Sequence, residues 1–421
     1  MLDLFPDTAS IADGELRVGG RRLSSLAEEF GTPLLVYCEA TIRARARAYR
    51  AAAPDALIVY GTKAFPNVAL LRLLAEDGLG ADVSTLGELG FARRAGMPPE
   101  RLVVHGNNKG DSELQAAVES NAAFVVLDSL EEIVRAATAG VRRSLIRVTP
   151  GVEADTHESI RTAHVGSKFG LPPDDAIVAI SAARTAGIEV AGLHVHVGSD
   201  LRGLDASLAA VDRLAVFSAS CRDELGWIPQ VVDLGGGLGT RTVAEDDVLS
   251  IEEYVSALVE RLAASWDRHG LPQPRLVLEP GRSLVAAAGC TVYHVGVVKP
   301  ASEEVTYVAI DGGMSDNPRP QLYGARHTAL LANRAKERPA GRFAICGKHC
   351  EEGDVLIGEV ELPQPRRGDL LAVPSTGAYT LGMASNYNGV PRPAAVLVRD
   401  GEASVIRRRE SVEDLLAYES G

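Results

Sequence analysis

Leu57-Ile58-Val59-Tyr60-Gly61-Thr62-Lys63 is the stretch on which the fold turns. An apolar run of β type ends in a Gly-Thr turn, and a helical stretch, Val68–Glu76, follows it. The same rhythm of β-branched run, turn and amphipathic helix recurs from about residue 55 to 285. Strand candidates end at Tyr60, Val83, Val104, Leu127, Val148, Val197, Asp233 and Glu279, eight in all. Between them lie helix-type segments such as Leu86–Ala95, 174–186 and 251–266. In the last of these, Ile251, Tyr254, Val255, Leu258 and Leu262 recur at helical spacing. Strands alternating with helices imply right-handed βαβ units and a parallel sheet. Eight units in roughly 230 residues fit a closed (β/α)8 barrel, whose usual size is about 250. An open doubly wound sheet is the competitor. It would gather its chemistry at one switch point, whereas here chemically notable residues stand at nearly every strand end.

After Arg282 the texture changes. The segments 291–298, 305–310, 343–346, 355–362, 370–373 and 394–398 are strand-like, with Gly and Pro between them and little helix. The expected architecture is therefore α/β plus β. It comprises an N-terminal segment (1–32) packing with the β domain, a barrel over 33–285, and a mainly β domain over 286–421.

The bulk properties narrow the function. The chain has 421 residues, enough for two domains, and at 46% hydrophobic and 24% charged it has ample material for a core. A net charge of −13 argues against nonspecific nucleic-acid or anionic-membrane binding. The basic residues Arg43, Arg47 and Arg50 share one helix face and read as a solvated surface. No stretch approaches the roughly 18 apolar residues of a membrane span. Residues 1–10 lack the basic start and apolar core of a signal peptide. Five scattered cysteines (Cys38, Cys221, Cys290, Cys346, Cys350) form neither a disulfide framework nor a zinc pattern, so a cytoplasmic protein with free thiols is expected.

The strand ends carry the chemistry. Lys63 lies at the C-terminal end of the first strand, the face where such barrels react, and its amine can form a Schiff base. Asp233-Leu234-Gly235-Gly236-Gly237 closes the seventh strand; glycines there let backbone N–H groups converge on an anion such as phosphate, or simply make a tight turn. His194-Val195-His196-Val197-Gly198-Ser199 closes the sixth. Alternation places His194 and His196 on one face, for ring stacking or for metal binding with His105 or His157 as a third ligand. No third ligand is evident, and no metal is expected. Glu279-Pro280-Gly281-Arg282 closes the eighth with a carboxylate suited to general-base work, to a protonated ring nitrogen, or to an ion pair with the arginine. Pyridoxal 5'-phosphate needs a lysine, a glycine loop, a carboxylate and a flat group. Lys63, the run Gly235, Gly236, Gly237, Glu279 and His196 supply all four.

The chain resembles the diaminopimelate decarboxylases, in the alanine-racemase-like class of pyridoxal-phosphate enzymes that also includes eukaryotic-type ornithine decarboxylases. The resemblance runs from Phe30-Gly31-Thr32-Pro33-Leu34 to about Leu416. It rests on Tyr60-Gly61-Thr62-Lys63-Ala64, Gly80-Ala81-Asp82-Val83-Ser84, His105-Gly106-Asn107-Asn108-Lys109, Ser167-Lys168-Phe169-Gly170, His196-Val197-Gly198-Ser199 and Glu279-Pro280-Gly281-Arg282. In the second domain it adds Asp311-Gly312-Gly313-Met314, Gly347-Lys348-His349-Cys350-Glu351 and Gly377-Ala378-Tyr379.

The resemblance implies that Lys63 bonds the cofactor's aldehyde and His196 stacks on its ring. Glu279 would meet the pyridine nitrogen, and Ser199, Gly235, Gly236, Gly237, Arg282 and Tyr379 would surround the phosphate. Asp82 and Gly281 join the cofactor set through their motifs. It also implies a homodimer with shared sites, each completed by the partner subunit's Cys350 and Glu351. Cys350, with Lys63, would govern reprotonation after CO2 leaves. The distal carboxylate of diaminopimelate calls for arginine, whose planar fork bonds it bidentately; Arg319, with Tyr323 four residues on, matches the family here. Arg282, Glu351 and Tyr379 complete the substrate set, with Glu351 on the distal ammonium. Phe65, Glu352 and Thr162-Ala163 depart from the commonest family pattern, which leaves ornithine, arginine or a secondary-pathway amino acid as alternative substrates.

Overall fold

The computed structural model describes residues 1–149, 151 and 167–420, so His157 and Thr162-Ala163 lie outside the described residues. Within them the chain forms two compact units, one of residues 45–239 and 248–283, the other of residues 1–44, 240–247 and 284–421.

The first unit is a closed parallel barrel. Its strands are Leu57–Gly61, Gly80–Val83, Leu102–Val104, Phe124–Leu127, Arg143–Arg147, Glu189–His194, Val231–Asp233 and Arg275–Leu278, each beside the next. Val277 opposite Leu57 closes the ring. Leu57, Val59, Val103, Phe124, Val126, Leu145, Ala191, Val231 and Val277 pack together as one core cluster, so this is a filled barrel and not a pore. Helix starts follow local chemistry: Thr85 and Ser129 cap the N-termini of Leu86–Ala95 and Leu130–Ala139, and Ser250 with Glu253 forms a capping box on Ile251–Arg268. Within the barrel strands Gly80 and Gly192 leave no room for a side chain. A Cβ on Gly80 would sit 2.1 Å from the carbonyl oxygen of Arg101, and one on Gly192 would sit 1.8 Å from that of Val231.

Three strand ends fall earlier than the sequence pattern suggests. The fifth strand stops at Arg147, after which Val148 makes only an isolated bridge to Leu171. The sixth stops at His194; Val195 still donates to the Asp233 carbonyl at 2.8 Å, but the ladder goes no further. His196 therefore lies beyond the strand, and strand alternation does not put it on one face with His194. Glu279 likewise follows the last strand residue, Leu278.

In the second unit a nine-stranded sheet runs Val355–Leu362, Gly341–Cys346, Thr306–Ile310, Gly289–Pro300, Leu34–Cys38, Ala394–Arg399, Glu402–Arg407. Leu370–Val373 and Leu330–Leu331 extend it beside Gly289–Pro300. The sequence pattern puts the first join at residue 33, but Leu34–Cys38 belongs to this sheet. It is antiparallel to Gly289–Pro300 and parallel to Ala394–Arg399. All five of its residues are buried, so its apolar run is indistinguishable from that of a barrel strand. Residues 1–32 pack here too: Leu16, Val18, Leu23 and Leu26 share a core with Val36, Cys290, Val292, Val396 and Val398. A second core, around Tyr293, Val308, Ile345 and Leu371, fills the other part of the sheet.

Candidate active site

The C-terminal ends of the barrel strands bring a group of buried ionisable residues together. Asp82 comes from the second strand, His194 from the sixth and Asp233 from the seventh. His105 and Glu279 directly follow the third and eighth. Glu279 is the centre. His105 Nε2 lies 2.6 Å from its Oε1, and His194 Nε2 lies 3.5 Å from its Oε2. The two imidazole rings meet edge to face at 4.9 Å. Asp82 Oδ1 lies 3.7 Å from His105 Nε2.

Burial alone would raise the Glu279 carboxyl, but the His105 charge beside it, with His194, holds it well below the usual carboxylate range. His105 responds in kind: burial opposes its charge, and Glu279 and Asp82 more than restore it, so its pKa rises. Burial pushes His194 down to about 3, so this ring is neutral and His105 is the cation of the cluster. Asp233 is raised well above its normal range, first by burial and then by the Glu279 charge. Two carboxyls in one dry site cannot both ionise, and Asp233 is the one that stays protonated. His105, His194, Asp233 and Glu279 each offer an atom within 4.8 Å of the others, a set that a metal could use. The Glu279–His105 ion pair and the proton on Asp233 account for the cluster without one.

Lys63 stands in the single helical turn Thr62–Ala64 directly after the first strand, and its side chain is exposed. Its charge is felt by Asp82 and by His196. His196 is partly buried, and burial followed by the Lys63 charge keeps its ring neutral. Its Nδ1 accepts from the Gly236 N–H at 3.3 Å, which leaves the ring proton on Nε2.

The glycine run is built for close approach. Gly235 and Gly237 have φ of +67° and +119°, and a Cβ on Gly236 would stand 2.2 Å from the Glu279 carbonyl oxygen. The three N–H groups do not all converge on one anion, however. Gly235 donates to Asp233 Oδ1 at 2.8 Å and Gly236 to His196, so of the three only the Gly237 N–H is not engaged in the described hydrogen bonds. Arg282 Nη2 donates to Ser199 Oγ at 3.2 Å, and its Nε lies 3.7 Å from Asp200. The Gly61 N–H donates to the Pro280 carbonyl at 3.1 Å, tying the Lys63 turn to the Glu279-Pro280-Gly281-Arg282 turn. Pyridoxal phosphate fits this set. An ionised, buried carboxylate suits a ring nitrogen, a neutral ring suits stacking, and serine, arginine and a bare glycine backbone suit phosphate.

Behind the mouth lie residues that the strand-end argument passes over. Lys109 is fully buried between the third and fourth strands, with Nζ 2.8 Å from Glu132 and donating to the carbonyls of Gly106 and Val126. Arg147 lies 3.4 Å from Asp128 and over the Phe169 ring. Lys109 and Phe169 both fall inside quoted motifs, yet only the fold shows what they touch.

The other expected residues are in the β unit. Arg319 is buried at the start of the short helix Arg319–Tyr323, which Tyr323 ends. Cys350 and Glu351 are exposed on the turn after Gly341–Cys346. Tyr379 has a left-handed backbone, φ 57°, two residues after Gly377, where a Cβ would stand 1.9 Å from the Val285 carbonyl oxygen. A non-glycine residue held in that region is strain of a kind that clusters at functional sites. Cys38, Cys221 and Cys290 are buried core residues, and burial pushes the Cys221 thiol up to about 12.

A parallel barrel with a lysine after its first strand and this charge cluster, joined to a β-sheet unit, is the arrangement of fold type III pyridoxal-dependent decarboxylases. The family model for the pyridoxal-dependent decarboxylase, pyridoxal binding domain, matches residues 39–286. The chain is 41% identical over 417 residues to the diaminopimelate decarboxylase of Bacillus subtilis, covering 96% of this chain and 94% of that one. It is 42% identical to that of Actinosynnema pretiosum, with 99% and 95% covered. Among solved structures it is similar to diaminopimelate decarboxylase from M. jannaschii in co-complex with L-lysine, with a TM-score of 0.92, 32% identity, and coverage of 100% and 99%. The chain belongs to the diaminopimelate decarboxylase family.

Proposed function

We propose that the chain decarboxylates meso-2,6-diaminopimelate to L-lysine and CO2, the last step of lysine biosynthesis, with pyridoxal phosphate as cofactor. The observation that carries the reaction class is the buried Glu279–His105 pair at the mouth of the barrel whose first strand delivers Lys63. When bound, pyridoxal phosphate supplies an aldehyde for the substrate amine and an electron-poor ring for the electron pair left behind by CO2. Lys63 Nζ is the amine that would hold the cofactor through its aldehyde. Glu279, kept ionised by His105, would meet the ring nitrogen and favour its protonated form, and His196 would offer the ring a neutral face. Ser199, Arg282 and the Gly237 N–H would hold the phosphate, a role the resemblance extends to Tyr379, and Asp82 and Gly281 would complete the cofactor set. Arg319 and Tyr323 bind the distal carboxylate, and Glu351 the distal ammonium. Cys350, with Lys63, returns a proton to the carbon that lost CO2.

Cys350 and Glu351 are exposed on their own chain, which suits a homodimer in which each subunit offers this turn to its partner's barrel. Among the described residues no helix is long and apolar enough to cross a membrane. The acidic charge favours a small-molecule enzyme over a nucleic-acid binder, and the scattered free cysteines suit a cytoplasmic one. The test is direct. The purified protein with cofactor is expected to be yellow and to release CO2 and L-lysine from meso-diaminopimelate. Turnover of ornithine or arginine instead would reject the substrate, and a colourless protein would reject the scheme. Mixing Lys63→Ala and Cys350→Ala subunits should restore about a quarter of wild-type activity if sites are shared, because half the dimers then hold one intact site.

A further inference from the structure

The turn that carries Cys350 and Glu351 is held by its own chain at three consecutive residues. Asp354, buried, accepts the His349 N–H at 2.9 Å through Oδ2 and the Met314 N–H at 2.7 Å through Oδ1. The same Oδ2 lies 2.6 Å from His349 Nδ1. The carboxylate fits so closely that a Cβ on Gly347 would stand 2.1 Å from it. The next residue, Cys350, donates its N–H to Asn388 Oδ1 at 2.8 Å. Glu351 Oε2 then accepts from the Tyr387 hydroxyl at 3.2 Å, and the Tyr387 ring lies stacked 6.0 Å from the His349 ring at 16°. Asn388 has a left-handed backbone, φ 54°, a conformation that turns its side chain back and that few residues other than Asn, Asp and Gly adopt readily.

Asp354 and the Tyr387 ring stacked on His349 support the turn around His349. Tyr387 and Asn388 do something more specific. Asn388 fixes the backbone of Cys350, and Tyr387 fixes the carboxylate of Glu351, whose hydrogen bond and then charge raise the Tyr387 phenol.

We propose that Tyr387 and Asn388 are positioning residues, a two-point clamp that sets the Cys350 backbone and the Glu351 carboxylate in the geometry the substrate meets. The proposal rests on the roles given above to Cys350 in proton return and Glu351 in distal ammonium binding. It assigns each clamp residue a separate kinetic signature. Tyr387 acts on binding through Glu351, and Asn388 acts on turnover through Cys350.

The test uses holoenzyme variants and two double-mutant cycles. Tyr387→Phe keeps the ring on His349 and removes only the hydroxyl. It should raise KM for diaminopimelate about five-fold at nearly constant kcat, the scale of one hydrogen bond to a charged group partly screened by water. Asn388→Gly keeps the left-handed backbone and removes the acceptor. It should lower kcat about ten-fold with little change in KM. Tyr387→Phe should add nothing in a Glu351→Gln background, and Asn388→Gly should add nothing in a Cys350→Ala background. Additive effects in either cycle, or a lowered Tm with both kinetic constants unchanged, would overturn the clamp. If Glu351→Gln and Cys350→Ala themselves leave KM and kcat unchanged, the functional reading fails, and the clamp with it.

Discussion

The barrel mouth and the 347–354 turn hold functional groups in opposite ways. At the mouth the chemical side chains themselves are buried: Glu279, His105, His194, Asp82 and Asp233 interact at short range, and their charges are set by one another. On the turn the chemical side chains, Cys350 and Glu351, are exposed, while the groups beneath them, Asp354 and His349, are buried. The first arrangement is electrostatically complete, since a low-dielectric site makes each charge depend on its neighbour. The second fixes the Cys350 backbone and the Glu351 carboxylate and leaves the Cys350 thiol exposed, which suits the proposed delivery to a partner subunit.

Substitutions should therefore cut deepest at the mouth. Lys63→Ala should abolish the visible imine band and lower kcat by roughly a thousandfold, the scale for losing a group that both bonds covalently and moves protons. A variant that keeps its colour would move the cofactor lysine elsewhere. Glu279→Gln leaves the His105 cation buried without its anion. It should cost about a hundredfold in kcat and about 3 kcal/mol of stability, read by turnover and chemical unfolding. A variant that loses kcat but not stability would show that the cluster is less coupled than its distances imply. Arg319→Ala belongs to the β unit, where the expected loss is in binding. KM should rise about thirty-fold while cofactor absorbance stays unchanged. An unchanged KM would remove Arg319 from the distal site.

The smallest effect is the most diagnostic of burial. His194 is neutral when folded, with its pKa pushed to about 3 by desolvation. The unfolded chain therefore takes up the extra proton as pH falls below about 6.5, and the folded protein loses about 1.4 kcal/mol per pH unit from this group. Its stabilising contribution is whole above that pH and is lost as pH falls toward 3. The stability difference between wild type and His194→Gln should shift against wild type by about 2 kcal/mol between pH 7 and pH 5. A difference that does not vary with pH would mean that His194 takes up its proton as readily in the folded state as in the unfolded one.

Much of this was legible beforehand, and the gaps have physical reasons. The strand–turn–helix rhythm after Leu57 is local, so the barrel could be read from it. Leu34–Cys38 could not be assigned, because a five-residue buried run carries no mark of which sheet will bury it. Lys63, Glu279 and the glycine run were visible as strand-end residues. That His105 charges Glu279, and that Asp233 stays protonated, depends on side chains from different strands meeting in three dimensions. Spacing carries no signal for such a meeting. The clamp on Cys350 is equally nonlocal, since Tyr387 and Asn388 lie well downstream of the turn they hold.

The placement of Leu34–Cys38 between Gly289–Pro300 and Ala394–Arg399 has a consequence for biogenesis. This segment leaves the ribosome early, but both of its neighbours are synthesised only after the whole barrel. Until then it is an apolar strand with two open edges, a hazard for mispairing between nascent chains. The barrel can close before the strand's partners are made, whereas the sheet must wait for Gly289–Pro300 and Ala394–Arg399. The time for which this strand stays unpaired is thus set by the synthesis of the whole barrel between it and its partners.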